Sequence, residues 1–214
     1  MNELIKEILK RTFDKLRKMY ASRGELERLP KPSFPAPQLI FPTYRDKGVR
    51  ISEQELRVAF IEMLANYCRE NRIKDYNYSV ETPTEDRYIF SEKRIKKDPK
   101  IGEGQSGNFD LTLFDNENKR LCLIEFKVGN VSEQAFKEVL AKLSNPRETG
   151  GPRYIIHLVK ERLSDACKEN LNNAIKWLYE ESQIYKVMNV GYVCASLTGD
   201  MQPICCTIEE LNSK

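Results

Sequence analysis

Residues 106–130 read SGNFDLTLFDNENKRLCLIEFKVGN, two apolar runs split by the turn-forming cluster Asp115-Asn116-Glu117-Asn118-Lys119. The pattern predicts a tight antiparallel hairpin. With an even-numbered loop centred on Glu117 and Asn118, paired residue numbers sum to 235, and Asp110 stands directly opposite Glu125. That register places Phe109, Leu111 and Leu113 on one face with Cys122, Ile124, Phe126 and Val128, an apolar face to be packed under helices. The other face is apolar at its turn end, with Phe114, Leu121 and Leu123, but its open end carries Asn108, Asp110, Glu125 and Lys127. Like charges directly opposed across a sheet destabilise it, and desolvation adds to the cost. A hard divalent cation would offset this, because carboxylates on neighbouring strands supply the oxygen ligands that Mg²⁺ prefers. A structural ion-pair cluster of Asp110, Glu125 and Lys127 on a solvated sheet face accounts for the same spacing equally well.

Outward from the hairpin, the chain from residue 50 has the pattern of an α/β domain. Ser52 followed by Glu55 is a capping box that opens a helix to about Asn71, with Leu56, Phe60, Met63, Leu64 and Tyr67 on its buried face. Strand-like segments Tyr76–Glu81 and Arg87–Phe90 flank a Thr82-Pro83-Thr84 turn, and a basic loop runs from Lys93 to Lys100. After the hairpin, Val131–Leu143 has helical spacing and Tyr154–Val159 is a strand. A helix follows from an N-cap at Ser164 to about Glu181, then a last strand over Gly191–Leu197. This order predicts a mixed central sheet flanked by helices.

Before residue 50 the organisation differs. Leu4, Ile5, Ile8, Leu9, Phe13, Leu16, Met19 and Tyr20 recur at spacings of three and four, an amphipathic helix with a basic outer face, within a first segment of residues 1–28. Five of the ten prolines fall between Pro30 and Pro42, which makes residues 29–48 an extended tether to the domain of residues 49–214. The helix needs a surface: its own domain, a twin subunit in a homodimer, or nucleic acid. Docking on protein is the favoured reading, since the apolar stripe would otherwise be exposed.

The net charge of +3 conceals an asymmetry. Residues 1–50 hold 12 Lys and Arg against 6 Asp and Glu, and the remaining residues 23 against 26. A basic arm of this kind suits an anionic partner. No run approaches the roughly 20 apolar residues of a membrane span, and the N-terminus has no apolar signal region, so the expected compartment is the cytoplasm and no membrane partner is expected. Six cysteines without C-x-x-C spacing read as reduced thiols, not as a zinc or redox centre.

The hairpin resembles the PD-(D/E)xK nuclease superfamily, the restriction-endonuclease-like fold. The likeness rests on Asp110 in Asn108-Phe109-Asp110 and on the Ile124-Glu125-Phe126-Lys127 motif of the next strand. Asn108-Phe109 departs from the family pattern by replacing its proline. The resemblance implies a nuclease that hydrolyses phosphodiester bonds, in DNA first of all, with Mg²⁺ or Mn²⁺ held by Asp110, Glu125 and the Phe126 carbonyl, and with Lys127 assisting the attacking water. It also implies a glutamate from the first domain helix. Glu53 and Glu55 both qualify, Glu53 by helical phase and Glu55 despite its capping role, and Glu55 is taken as the candidate. Arg94, Lys96, Lys97 and Lys100 of the basic loop are the candidate nucleic-acid contacts. Gln134 and Glu138 fail the Gln-x-x-x-Tyr pattern of some exonuclease members. The alternative is a catalytically inactive nuclease-fold module for nucleic-acid binding or protein assembly.

Two further signals are set aside. Gly102 to Gly107 form a literal G-x-G-x-x-G, but it opens a strand instead of a helix and reads as a loop. His157, the single histidine, reads as a satisfied strand residue.

Overall fold

Four helices and seven strands are set out by a computed structural model that describes residues 3–21, 39–45, 48–91, 94–97, 103–198 and 204–207. In chain order they are α1 (Glu3–Ala21), α2 (Glu53–Glu70), β1 (Asn77–Ser91), β2 (Arg94–Lys97), β3 (Gln105–Phe114) and β4 (Arg120–Val128). Then come α3 (Glu133–Ser144), β5 (Arg153–Val159), α4 (Asp165–Ser182), β6 (Gly191–Ser196) and β7 (Ile204–Thr207). The strands form one mixed sheet in the order β2-β1-β3-β4-β5-β6-β7, parallel from β4 to β6 and antiparallel elsewhere. Consecutive parallel strands joined by α3 and α4 need two crossovers of the same hand, which places both helices on one face. There they bury Leu123, Ile155, Tyr192 and Cys194. The opposite face carries Leu111, Leu113, Ile124, Phe126 and Ile156 against α1 and α2.

α1 docks on its own chain. Ile5, Ile8, Leu9, Phe13 and Leu16 are buried in the same core as Leu56, Phe60 and Leu64 of α2. The stripe that could have served a twin subunit is therefore covered by the chain's own domain. Much of the basic outer face is paired as well. Arg11 bonds Glu70 at 2.6 Å and lies over the Tyr67 ring, Lys15 pairs with Glu62, and Arg17 donates to the Ser196 carbonyl. Residues 22–28 of the first segment, and residues 29–38, 46 and 47 of the tether, lie outside the described residues. Its end folds back, with Phe41 buried against Tyr20 and a bridge between Thr43 and Val49.

The strand reading needs four corrections. The two segments around Pro83 are one strand, β1, whose register on β3 shifts between Pro83 and Arg87. The bulge absorbs the proline, which has no N–H to give a regular ladder. The basic stretch is not wholly a loop, because Arg94, Lys96 and Lys97 lie in β2, paired with Ser91, Ile89 and Tyr88, while Lys100 lies outside the described residues. β7 was not anticipated. The β3–β4 connection is a five-residue loop, with Asp115 Oδ1 accepting the N–H groups of Glu117 and Lys119, and a register shift next to Phe114 restores the pairs Leu111–Ile124, Thr112–Leu123 and Leu113–Cys122. That shift also turns Leu121 toward the α1/α2 layer.

A second polar network locks the β1 bulge to the α3–β5 connection. The buried Glu148 carboxylate accepts the N–H groups of Glu85 (2.8 Å) and Asp86 (3.0 Å), the Tyr88 hydroxyl and Arg120. Arg153, also buried, donates to the carbonyls of Leu143, Asn145 and Glu148. Four donors on one carboxylate stabilise its charge away from water.

Because α1 is part of the core, Phe13→Ala should lower the unfolding free energy by about 3–5 kcal/mol, the usual cost of emptying a buried aromatic site. Urea unfolding checks this; a loss well under 1 kcal/mol would mean that α1 lies outside the cooperative unit.

Candidate active site

β3 and β4 part company beyond the Leu111–Ile124 pair. Asp110 and Glu125 are the next residues on each strand, and no further ladder pair joins them. Instead the Asp110 carboxylate accepts the Phe126 backbone N–H at 2.7 Å, standing in for a strand carbonyl. Two β3 carbonyls likewise end on side chains: Asn108 accepts Lys142 Nζ at 2.6 Å and Asp110 accepts Arg57 at 3.4 Å. The outer edges of the fork stay anchored, since β3 pairs with β1 to Asn108 and, past the bulge, at Ser106 and Gln105, and β4 pairs with β5 as far as Val128–Leu158. The candidate site is this fork.

The fork also breaks the simple alternation. Phe109, placed by the sequence with Leu111 and Leu113, packs in the opposite layer with Phe136 and Leu140 of α3. Between the pairs Val80–Leu111 and Thr82–Phe109 lies Glu81 at φ 50°, so the pleat changes where the strands separate. Lys142 and Arg120 both stand over the Phe109 ring, at 5.8 and 5.9 Å from its centroid.

Glu125 is only 2% exposed. Its carboxylate pairs with the Lys142 ammonium on α3, a partner that sequence reasoning missed. The signal was present but faint: Lys142 follows Val139 by one helical turn and sits between the buried Ala141 and Leu143. Burial, with Asp110 beside it, pushes Glu125 up to about 7 against the opposing pull of Lys142. Lys127 donates to the Phe126 carbonyl at 2.9 Å and pairs with Glu53 at 3.2 Å. Burial alone would lower the Lys127 ammonium, but Glu125, Glu53 and Asp110 together hold it above its ordinary value. Lys127 is therefore a cation at neutral pH.

The helix carboxylate that reaches the cluster is Glu53, not Glu55. Glu55 turns back on the helix end, where it accepts the Ser52 N–H at 2.9 Å and the Ser52 hydroxyl and pairs with Arg50 at 3.0 Å. Those bonds outweigh burial and keep its carboxyl below the ordinary range. A capping box commits the third helical residue to the helix terminus, which leaves the first, Glu53, to face the strand end.

β4 is followed by Gly129, whose φ of 70° turns the chain toward α3. His157 secures that turn by bonding the Gly129 carbonyl at 2.7 Å through Nε2, and Tyr192 through Nδ1. Burial lowers it to about 4, so it is a neutral structural histidine beneath the site.

Models of known protein families, curated proteins and solved structures were each compared with the chain. None of them matches. The site must be read on its own geometry.

In chemistry the donors suit a hard cation: two carboxylates and the Phe126 carbonyl, all oxygens. In geometry they form a pair of acids and not a ready cage, and among the described residues no group of three or more His, Cys, Asp or Glu is placed to hold a metal. Glu53 is paired with Lys127, and Lys142 occupies an oxygen of Glu125.

The raised Glu125 value carries a sign. Between its ordinary value of 4.5 and about 7 the folded chain holds a proton that the unfolded chain has lost, so stability falls as pH rises through this window. The expected fall is on the order of 3 kcal/mol. Urea unfolding of wild type and Glu125→Gln at several pH values isolates it, because the difference between the two should decline across the window and level off above it; a flat difference would refute the assignment.

Proposed function

We propose that the chain is a metal-dependent nuclease hydrolysing phosphodiester bonds in nucleic acid, with DNA as the first candidate substrate. The observation that carries this reading is the β3–β4 fork, where Asp110, Glu125, Lys127 and Glu53 are close enough for their charges to act on one another. The element order α2, β1, β3, β4, α3, β5, with β2 peripheral at the sheet edge, supports it, since helix, three strands, helix, strand is the core order of the superfamily that the hairpin resembles.

Asp110, Glu125 and the Phe126 carbonyl would hold Mg²⁺ or Mn²⁺, which when bound polarises a phosphoryl oxygen and acidifies its water. The chain's own groups do the rest. Lys127 stays protonated, so it serves as a hydrogen-bond donor to charge developing on the phosphorus oxygens and not as the base that takes a proton from water. Glu53 holds that ammonium from the solvent side. Glu125 must be ionised to bind a cation, which places full metal affinity above about pH 7. The basic positions Arg94, Lys96 and Lys97 on β2 lie two strands from Asp110 and three from Glu125 and are proposed to track the phosphate backbone.

One observation favours a second reading. Lys142 already neutralises Glu125, as a permanent counter-ion would in an inactive nucleic-acid-binding or assembly module.

Incubation with labelled single- and double-stranded DNA and with RNA, in Mg²⁺ or Mn²⁺, tests the first reading. Cleavage should drop on the order of 10²- to 10³-fold in Asp110→Ala and Lys127→Ala. No cleavage of any substrate, or full activity in both variants, removes the enzymatic claim. Glu53→Gln should lower the rate with little change in stability, whereas Glu55→Ala, which removes the acceptor of the Ser52 N–H, should cost about 1 kcal/mol through the lost capping box and spare the rate. The opposite pattern would restore Glu55 as the site residue.

A further inference from the structure

Lys142 is held in a fitted station. Its ammonium bridges the fork, donating to the Asn108 carbonyl of β3 at 2.6 Å and to the Glu125 carboxylate of β4. It stands 5.8 Å from the Phe109 ring centroid, an attractive placement for a cation. The stem crosses above Gly107, where a Cβ would come within 3.0 Å of Lys142 Cδ. Two strands thus make room for one cation from α3, and its side chain is only 11% exposed.

A divalent ion at Glu125 would have to share that space. Two cations on one buried carboxylate repel strongly where water is scarce. Yet the lysine stem is long and unbranched, and its ammonium can leave for solvent or for an anion in the cleft. On the nuclease reading above, on which this step rests, that anion is the phosphodiester itself.

We propose that Lys142 is an internal counter-ion that occupies the metal position at Glu125, so that a divalent ion loads only by displacing it. Metal loading is then coupled to substrate, because a phosphate oxygen gives the displaced ammonium a new partner.

The test is calorimetric titration of Mn²⁺ into wild type, Lys142→Met and Glu125→Gln at pH 7.5, about half a unit above the Glu125 midpoint of about 7, with circular dichroism to check folding. Lys142→Met, which keeps the length of the stem, should bind Mn²⁺ at least about tenfold tighter than wild type, a factor worth about 1.4 kcal/mol. Glu125→Gln should abolish binding. Mn²⁺ binding by Lys142→Met alone would support the proposal most strongly, since the ammonium then excludes the ion entirely. Equal or weaker binding by Lys142→Met, with wild type binding well, would overturn the role of Lys142 and leave the metal site standing. Binding by neither would overturn both. If Lys142→Met does not fold, the Lys142 side-chain ¹⁵Nζ resonance of wild type decides: Mg²⁺ at saturation should shift it, and an unmoved resonance in a chain that binds Mg²⁺ would overturn the proposal.

Discussion

Glu125 is a carboxylate with almost no access to water in the middle of a seven-stranded sheet, and another carboxylate, Asp110, follows the same register on the next strand. Isolated burial of such a charge is too costly to survive, so the surroundings must either protonate it or supply a cation. The chain does some of each. Burial raises Glu125 toward neutrality, while Lys142 from α3 and Lys127 from its own strand bring positive charge. The position of α3, the early parting of β3 and β4, and the bare backbone at Gly107 all serve that arrangement.

Another buried carboxylate, Glu148, shows how a purely structural acid is handled. Glu148 meets two backbone N–H groups, a tyrosine hydroxyl and a guanidinium, all from residues that tie the β1 bulge to the start of β5. Its oxygens are fully engaged by fixed donors. Glu125 is met by an ammonium at the end of a long unbranched stem, and its neighbour Asp110 by a backbone N–H. Fixed donors stabilise a fold, whereas an exchangeable ammonium leaves a carboxylate available for other cations.

Much of the frame was legible because it depends on local pattern. The hairpin register, both crossover helices with the Ser164 cap of the second, and the mixed sheet all follow from periodicity and turn chemistry. The errors share a cause. Pro83 read as a turn because a proline breaks a regular ladder, and only the pairing with β3 shows that a bulge carries it. Phe109 read as a partner of Leu111 because strands alternate, and only the fork reverses it. Glu55 read as the site glutamate although its capping role was visible, since nothing local ranks two carboxylates one turn-fraction apart.

By itself the sequence determined which strands carry the acids and the register of the Leu111–Ile124 and Leu113–Cys122 pairs that lead up to them, since hydrophobic period sets this without reference to distant residues. It also determined that an apolar helix precedes the domain. Tertiary structure alone decided that this helix completes the chain's own core, that Glu53 and not Glu55 meets Lys127, and that Lys142 answers the charge of Glu125. Those outcomes depend on which side chains long loops and crossovers bring together, and a buried charge selects its partner by distance in space, not along the chain.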